Sequence, residues 1–217
     1  MRRLVRCVLV LVAATAYANP PPVPRPVRDA LGAATVEVLP ARCTGAVVES
    51  PWLIATAKHC VEDGKSLRVR VAGVERHAVV VAEDDVADQV VLVLDEPAAV
   101  TPLGIVRRIP ITGTVLYFHG NPVRPRWQAA RLDRVGECPS LPHLPNALFT
   151  SIDGTPGDSG APLVDLLGRV VGLVHGGARC RIATPGDRLI RLVDRVLERQ
   201  HARTPLIAPT RSGSRVS

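Results

Sequence analysis

Past residue 33 the apolar residues fall into short runs broken by glycine, proline and aspartate. Some runs alternate, as in Leu67-Arg68-Val69-Arg70-Val71, the mark of a strand with one wet face. Others are apolar throughout, as in Val90-Val91-Leu92-Val93-Leu94, the mark of a strand buried on both faces. The pattern predicts strands at 35–39, 44–48, 52–56, 67–71, 77–82, 89–94, 114–119, 128–135, 147–151, 162–166, 170–175 and 181–184. So many short strands with turn signals between them predict an all-β sandwich or barrel pair. One late segment follows a different period. Leu189, Leu192, Val193, Val196 and Leu197 recur at helical spacing, with start signals at Pro185 and Asp187 and with Arg191, Arg195 and Arg199 on the polar side. This predicts a helix over 187–200 that covers one end of the β core. No internal repeat is evident.

The two ends of the 217-residue chain differ from its middle. Arg2, Arg3 and Arg6, an apolar run at 7–14 and the small residues of Ala16-Tyr17-Ala18 have the order of a secretory signal over 1–18, with a mature start near Asn19. The apolar run is too short to span a bilayer, and no other segment qualifies. Residues 19–32 form a proline-rich lead, expected to be extended and solvated because closely spaced prolines remove backbone donors. One domain is expected at 33–200 and a basic, unstructured tail at 201–217. The formal net charge is +7. The three leader arginines and the four after Glu198 (Arg199, Arg203, Arg211, Arg215) account for all of it, so residues 19–198 are formally neutral. That leaves no excess for a phosphate-tracking groove, which argues against nucleic acid.

Cys7 leaves with the signal; Cys43, Cys60, Cys138 and Cys180 remain. An even number in an exported chain suggests two disulfides, with three pairings open. A structural zinc site is disfavoured because no two cysteines have Cys-x-x-Cys spacing.

The strongest chemical signal is Thr155-Pro156-Gly157-Asp158-Ser159-Gly160-Ala161-Pro162. A serine flanked by glycines on a tight turn can project its Oγ, and neighbouring N–H groups can converge on one developing oxyanion. Gly157 can adopt the backbone geometry that aims its N–H alongside that of Ser159. A serine nucleophile needs a base, and the base needs an orienting acid. His59, in Thr56-Ala57-Lys58-His59-Cys60 at the end of an apolar strand, is the candidate base. Asp88, directly before the apolar strand at 89–94, is the candidate acid. Asp84 and Asp85 compete less well because neither abuts that strand, and His77, His119 and His143 lack a comparable mount.

These segments together resemble the chymotrypsin- and trypsin-like serine proteases. Cys43-Thr44-Gly45 through Thr56-Ala57-Lys58-His59-Cys60 is similar to the family's histidine region, Asp88 to its aspartate motif, and Gly157-Asp158-Ser159-Gly160 to its serine motif. The order His, Asp, Ser is also that family's. The match covers about residues 34–198 and its details are similar to compact bacterial members. The resemblance implies two six-stranded antiparallel β-barrels with a C-terminal helix and a triad of His59, Asp88 and Ser159 in the cleft. It also implies an oxyanion hole of the Gly157 and Ser159 N–H groups and a Cys43–Cys60 disulfide; Cys138–Cys180 is the pairing then left. The expected protein is a secreted or periplasmic monomeric endopeptidase acting on proteins or peptides, with no metal or other cofactor. The alternative is a catalytically weak or inactive protease-like binding protein.

Some positions depart from the family's pattern. Ala161 stands where a second glycine is usual, a change the turn is expected to absorb. Asp158 is implied to be buried and needs a cationic partner. No activating Ile or Val N-terminus is visible before Val36, so Arg126, Arg131 and Arg134 are the candidates and activity without zymogen cleavage is expected. For substrate binding, Asp153 suggests basic side chains and His175, with Gly177 beside it, suggests acidic ones; basic substrates are slightly favoured. Thr155 replaces the cysteine that would brace this pocket in the family.

Overall fold

The computed structural model describes residues 21–61, 66–121, 123–139, 141–175 and 181–203. Helix α1 (Arg25–Ala34) leads into β1 (Thr35–Leu39), followed by β2 (Cys43–Val47), β3 (Leu53–Ala57), β4 (Ser66–Val71), β5 (Val74–Asp84) and β6 (Gln89–Leu94). These strands close into a barrel in the order β1-β2-β3-β6-β5-β4. A second closed barrel, in the order β10-β11-β12-β9-β8-β7, uses β7 (Val115–Gly120), β8 (Arg126–Gly136), β9 (Ala147–Thr150), β10 (Pro162–Val164), β11 (Val170–His175) and β12 (Ile182–Pro185). All pairings within both barrels are antiparallel. Helix α2 (Gly186–Arg203) closes the chain's described part. This is the chymotrypsin-like arrangement, in which each sheet closes on itself and hides its edges.

The alternating and continuous apolar runs behave as their patterns require. In β4, Val69 and Val71 are buried, whereas Arg70 lies opposite Glu37 of β1 and Glu75 of β5 and pairs with both carboxylates. A one-residue slip would bury the arginines and break these cross-strand pairs, so the register is fixed from both faces. In β6 five of six residues are buried, because its outer face meets other protein rather than water. Leu116, Phe118, Leu132, Leu148 and Leu163 form the second barrel's core. Full burial of each such side chain contributes about 1.5–3 kcal/mol.

Strands β5 and β8 run longer than the sequence pattern predicts, each to 11 residues. Both contain a register shift, at Val80/Ala82 and Leu132/Arg134, which bends a long strand around its barrel. In β5 the extra length is carried mainly by Glu75, Arg76, Glu83 and Asp84, polar positions that an apolar pattern does not register.

The proline-rich lead differs more. From Arg25 it is helical, not extended. Pro26 sits in the first turn, where a missing N–H costs nothing, and Val27, Leu31 and Ala34 form a buried stripe. α1 packs against β7 and holds the entry to the first barrel. At the other end, α2 runs three residues beyond the predicted helix and buries Leu189, Leu192, Val193 and Val196. Among the described residues no helix is long and apolar enough to cross a membrane. The expected signal at 1–18 and nearly all of the expected tail at 201–217 lie outside the described residues.

Candidate active site

His59 is mounted on a single 3-10 turn, Lys58–Cys60, directly after β3. Its neighbour Cys60 is bonded to Cys43 of β2, with Cα atoms 5.9 Å apart, so the turn is tied to the adjacent strand. Lys58 donates its N–H to the Asp88 carbonyl at 2.9 Å, and its ammonium pairs with Glu83 and Asp85. Asp88 itself lies between β5 and β6 at φ 52°, a left-handed conformation that aspartate tolerates better than most residues. The preceding turn is built by Asp84, whose Oδ1 accepts the N–H groups of Val86 and Ala87 at 3.1 Å. Arg188 of α2 grips the same carboxylate at 2.8 and 2.9 Å. Asp84 and Asp85 are thus occupied in holding the turn, and Asp88 is the acid that faces the imidazole.

The Asp88 carboxylate accepts three hydrogen bonds. Oδ1 takes the His59 backbone N–H at 2.9 Å. Oδ2 takes Nδ1–H of His59 at 2.5 Å and Nδ1–H of His175 at 2.8 Å. Burial alone would raise its pKa, but the donors from His175 and His59 outweigh burial and hold the carboxyl at about 2. A carboxylate only accepts, so both imidazoles carry a proton on Nδ1. That tautomer leaves Nε2 of His59 as a lone-pair acceptor, the state a general base requires.

Ser159 sits on the turn between β9 and β10, in the second barrel. Gly157 at φ 98° and Gly160 at φ 80° shape this turn. A Cβ on Gly160 would lie 2.2 Å from the Thr44 carbonyl oxygen and 2.3 Å from Thr56 Oγ1, so the two barrels meet there with no room for a side chain. Thr44 of β2 bridges the gap: its N–H donates to the Ser159 carbonyl at 2.9 Å and its Oγ1 to the Gly157 carbonyl at 2.5 Å. Asn121 donates Nδ2–H to the Pro156 carbonyl at 3.1 Å, fixing the peptide whose other side carries the Gly157 N–H. Among the described residues, neither the Gly157 nor the Ser159 N–H donates to a protein acceptor, so both are available to an incoming oxyanion. The Cys60 sulfur next to His59 lies 3.8 Å from the Ser159 carbonyl oxygen. No hydrogen bond among the described residues joins the Ser159 hydroxyl to His59. Contacts of this kind commonly tighten only when substrate is bound.

Asp158 is fully buried and pairs with Arg126, whose guanidinium donates to Oδ2 at 2.6 Å. Oδ2 also accepts the Thr155 N–H at 2.7 Å and its hydroxyl at 3.2 Å. Arg131 instead reaches the Gly113 carbonyl, and Arg134 stacks 3.3 Å over the Phe149 ring. Ala161 is completely buried, its N–H donating to the Asp158 carbonyl and its carbonyl accepting from Val174 at 2.9 Å each. The turn accommodates the alanine.

The residues assigned to substrate are less concentrated. The Asp153 carboxylate is 74% exposed and lies 3.4 Å from Arg181, so it lines no closed, unpaired pocket. His175 directs Nδ1 to Asp88 and sets its ring edge-on to His59, with centroids 5.2 Å apart. The sequence linked His175 to substrate and missed this contact with the acid. The contact depends on β11 pairing beside the serine turn, which sequence order does not reveal. Gly177 and Cys180 fall outside the described residues. Cys138 is disulfide-bonded. Elsewhere, His119 is stacked on Trp127 at 3.9 Å, and burial together with the nearby Arg28 charge pushes its pKa down to about 4. It packs beside α1, its Nδ1 3.0 Å from Thr35 Oγ1.

Ligand atoms of His59, Asp88 and His175 lie within 4.8 Å of one another. Shared protons account for this grouping, since both ring nitrogens already face one carboxylate oxygen. Cys43 and Cys60, also near His59, are joined to each other and offer no thiolate.

Twin barrels with a histidine–carboxylate pair on one and a glycine-framed serine on the other define a serine peptidase. Residues 43–173 match the trypsin-like peptidase domain, and the chain belongs to that family. Among solved structures it is similar to the Rv3671c protease in its inactive form, at 27% identity and TM-score 0.66, covering 82% of this chain and 97% of that one. It is similarly close to the active form of the M. tuberculosis Rv3671c protease, at 26% identity and TM-score 0.67, covering 87% and 93%. No curated protein sequence matches it.

Proposed function

We propose that this protein is an exported endopeptidase that cleaves peptide bonds through His59, Asp88 and Ser159 by way of an acyl-enzyme. The observation that carries the reading is the Asp88 carboxylate bound to Nδ1–H of His59, with the serine turn tied to the same barrel by Thr44. Ser159 Oγ attacks the substrate carbonyl while Nε2 of His59 takes its proton. Asp88 keeps the ring in the Nδ1–H tautomer and stabilises the imidazolium as it forms. The N–H groups of Gly157 and Ser159 stabilise the tetrahedral oxyanion. His59 then gives its proton to the leaving amine, and a water activated by the same nitrogen releases the acyl group.

Two further features belong to this reading. Arg126 supplies Asp158 with a positive charge from within the folded domain, so the serine turn needs no newly cleaved N-terminus. Residues 1–18 have the layout of an export signal, and the Cys43–Cys60 bond suits an oxidising compartment.

The test is labelling with a fluorophosphonate probe, native protein against Ser159→Ala. Labelling that vanishes in the variant, with turnover falling on the order of 10⁶-fold, supports the reading. A variant that kept most of its peptidase activity would sink it. Protein that stays wholly inactive until its N-terminus is trimmed would refute the Arg126 account.

A further inference from the structure

Gln89 is polar and fully buried, and it heads the apolar run of β6 directly after Asp88. Its backbone is paired with Ala57 at the end of β3 and with Asp84 at the end of β5, beside the His59 turn. Its side chain leaves that barrel. Nε2 donates to Thr184 Oγ1 at 2.9 Å and to the Pro185 carbonyl at 3.1 Å, both on β12 of the second barrel. The Pro185 carbonyl can only accept, so the amide must present its NH2 group to β12 and turn Oε1 away. Among the described residues Oε1 has no donor. An unpaired buried carbonyl oxygen is destabilising, and a leucine of similar size would not carry it. The amide is thus a local inconsistency in an otherwise apolar strand, of the kind retained where position matters more than stability.

What the amide positions can be followed across the seam between the barrels. Ala183 and Thr184 of β12 are paired with Val174 and Leu173 of β11, and the Thr184 hydroxyl also donates to the Leu173 carbonyl at 3.4 Å. Val174 in turn bonds to the serine turn, its carbonyl accepting the Gly160 N–H at 2.8 Å and its N–H reaching the Ala161 carbonyl at 2.9 Å. One amide therefore connects the strand that begins at the acid with the ladder that holds the nucleophile. Apolar contact is non-directional and tolerates sliding along such a seam, whereas two hydrogen bonds from one NH2 group fix a position. We infer that Gln89 is a positioning residue of the proposed peptidase, setting β12, and through β11 the Ser159 turn, against Asp88 and His59. The inference rests on the proposed peptidase reading and deepens it.

The experiment compares full-length wild type with Gln89→Leu, Thr184→Val and the double variant. The readouts are the second-order rate of fluorophosphonate labelling and the urea midpoint. Gln89→Leu removes the donor and the unpaired oxygen together, so its midpoint should equal or exceed that of wild type. Its labelling should nonetheless slow about three- to tenfold, the worth of a neutral hydrogen bond. Thr184→Val keeps the shape and withdraws one acceptor while the Pro185 bond remains, so it should label at an intermediate rate. Both substitutions act on one bond, and the double variant should therefore label no slower than Gln89→Leu alone. A Gln89→Leu variant that labels at the wild-type rate overturns the inference. So does one whose rate and midpoint fall together, the mark of a residue that only holds the barrels together, and so do effects that multiply in the double variant. Where Gln89→Leu yields no folded protein, Thr184→Val decides alone, and a wild-type rate there overturns the inference. Failure of the underlying reading looks different: wild type would not label, or would label equally well with Ser159→Ala, and the inference would fall with it.

Discussion

Arg126 on β8 lies 2.6 Å from the fully buried carboxylate of Asp158 and donates equally closely to the Asp153 carbonyl, so one guanidinium fixes both the start and the core of the loop that carries Ser159. Removing the cation would strand a buried charge, a defect that costs about 3–5 kcal/mol. Arg126→Met should therefore lower the urea midpoint and abolish fluorophosphonate labelling even where the protein still folds. Arg126→Lys, which keeps the charge but not the fork, should retain part of both. Wild-type labelling by the methionine variant would show that the serine turn does not depend on this pair.

The packing at Gly160 makes a sharper claim. A Cβ there would meet the Thr44 carbonyl oxygen at 2.2 Å and the Ala57 nitrogen at 2.7 Å, on backbone at φ 80° that favours glycine. The obstructing atoms are mostly backbone and belong to the other barrel, so relief requires the barrels to separate. Gly160→Ala should lose all labelling and melt well below wild type, by several degrees for each kcal/mol lost. By contrast, Gly113→Ala, whose Cβ would have nothing within 4 Å, should show only the modest penalty of its positive φ. Calorimetry on the pair separates steric collision from backbone preference.

The strands, the histidine turn after β3 and the glycine-framed serine turn were legible because each depends on short-range pattern, whereas the choice of two barrels over a sandwich came from the family resemblance. Apolar alternation specifies strands such as β4, and a tight serine turn demands its glycines locally. What escaped the sequence depends on distant partners. Arg126, Arg131 and Arg134 are equivalent by spacing, and only β8 folding beside the serine turn separates them. His175 read as a substrate ligand because sequence order does not reveal that the end of β11 faces Asp88. The lead around Pro26 read as extended because its helical stripe of Val27, Leu31 and Ala34 gains stability only when packed on the folded barrels.

The Cys43–Cys60 bond encloses a 17-residue separation containing β3 and the His59 turn. Cross-linking a loop of this size stabilises a protein by about 3 kcal/mol, chiefly by restricting the unfolded chain. Cys43→Ala with Cys60→Ala should lower unfolding free energy by about that amount. Activity at low temperature should survive in part, since Lys58 and Asp88 still hold the turn. Equal denaturant midpoints for the double variant and wild type would contradict this.

The Asp88 carboxyl also sets an acid limit on stability. Its ordinary value is 3.8, and in the folded protein the donors from His175 and His59 overcome burial and hold it at about 2. A depressed carboxyl stabilises the native state above its unfolded value, and that stabilisation is lost as pH falls through the folded one. The shift corresponds to about 2 kcal/mol, present at neutral pH and fading between roughly pH 4 and pH 2. Asp88→Asn cannot titrate and lacks this loss. Urea unfolding at stepped pH should therefore show the wild-type curve falling more steeply than that of the variant across this window, by up to one proton's worth of slope. Both curves should run parallel above it. Curves that remain parallel throughout would mean that Asp88 is not held ionised by its two imidazoles.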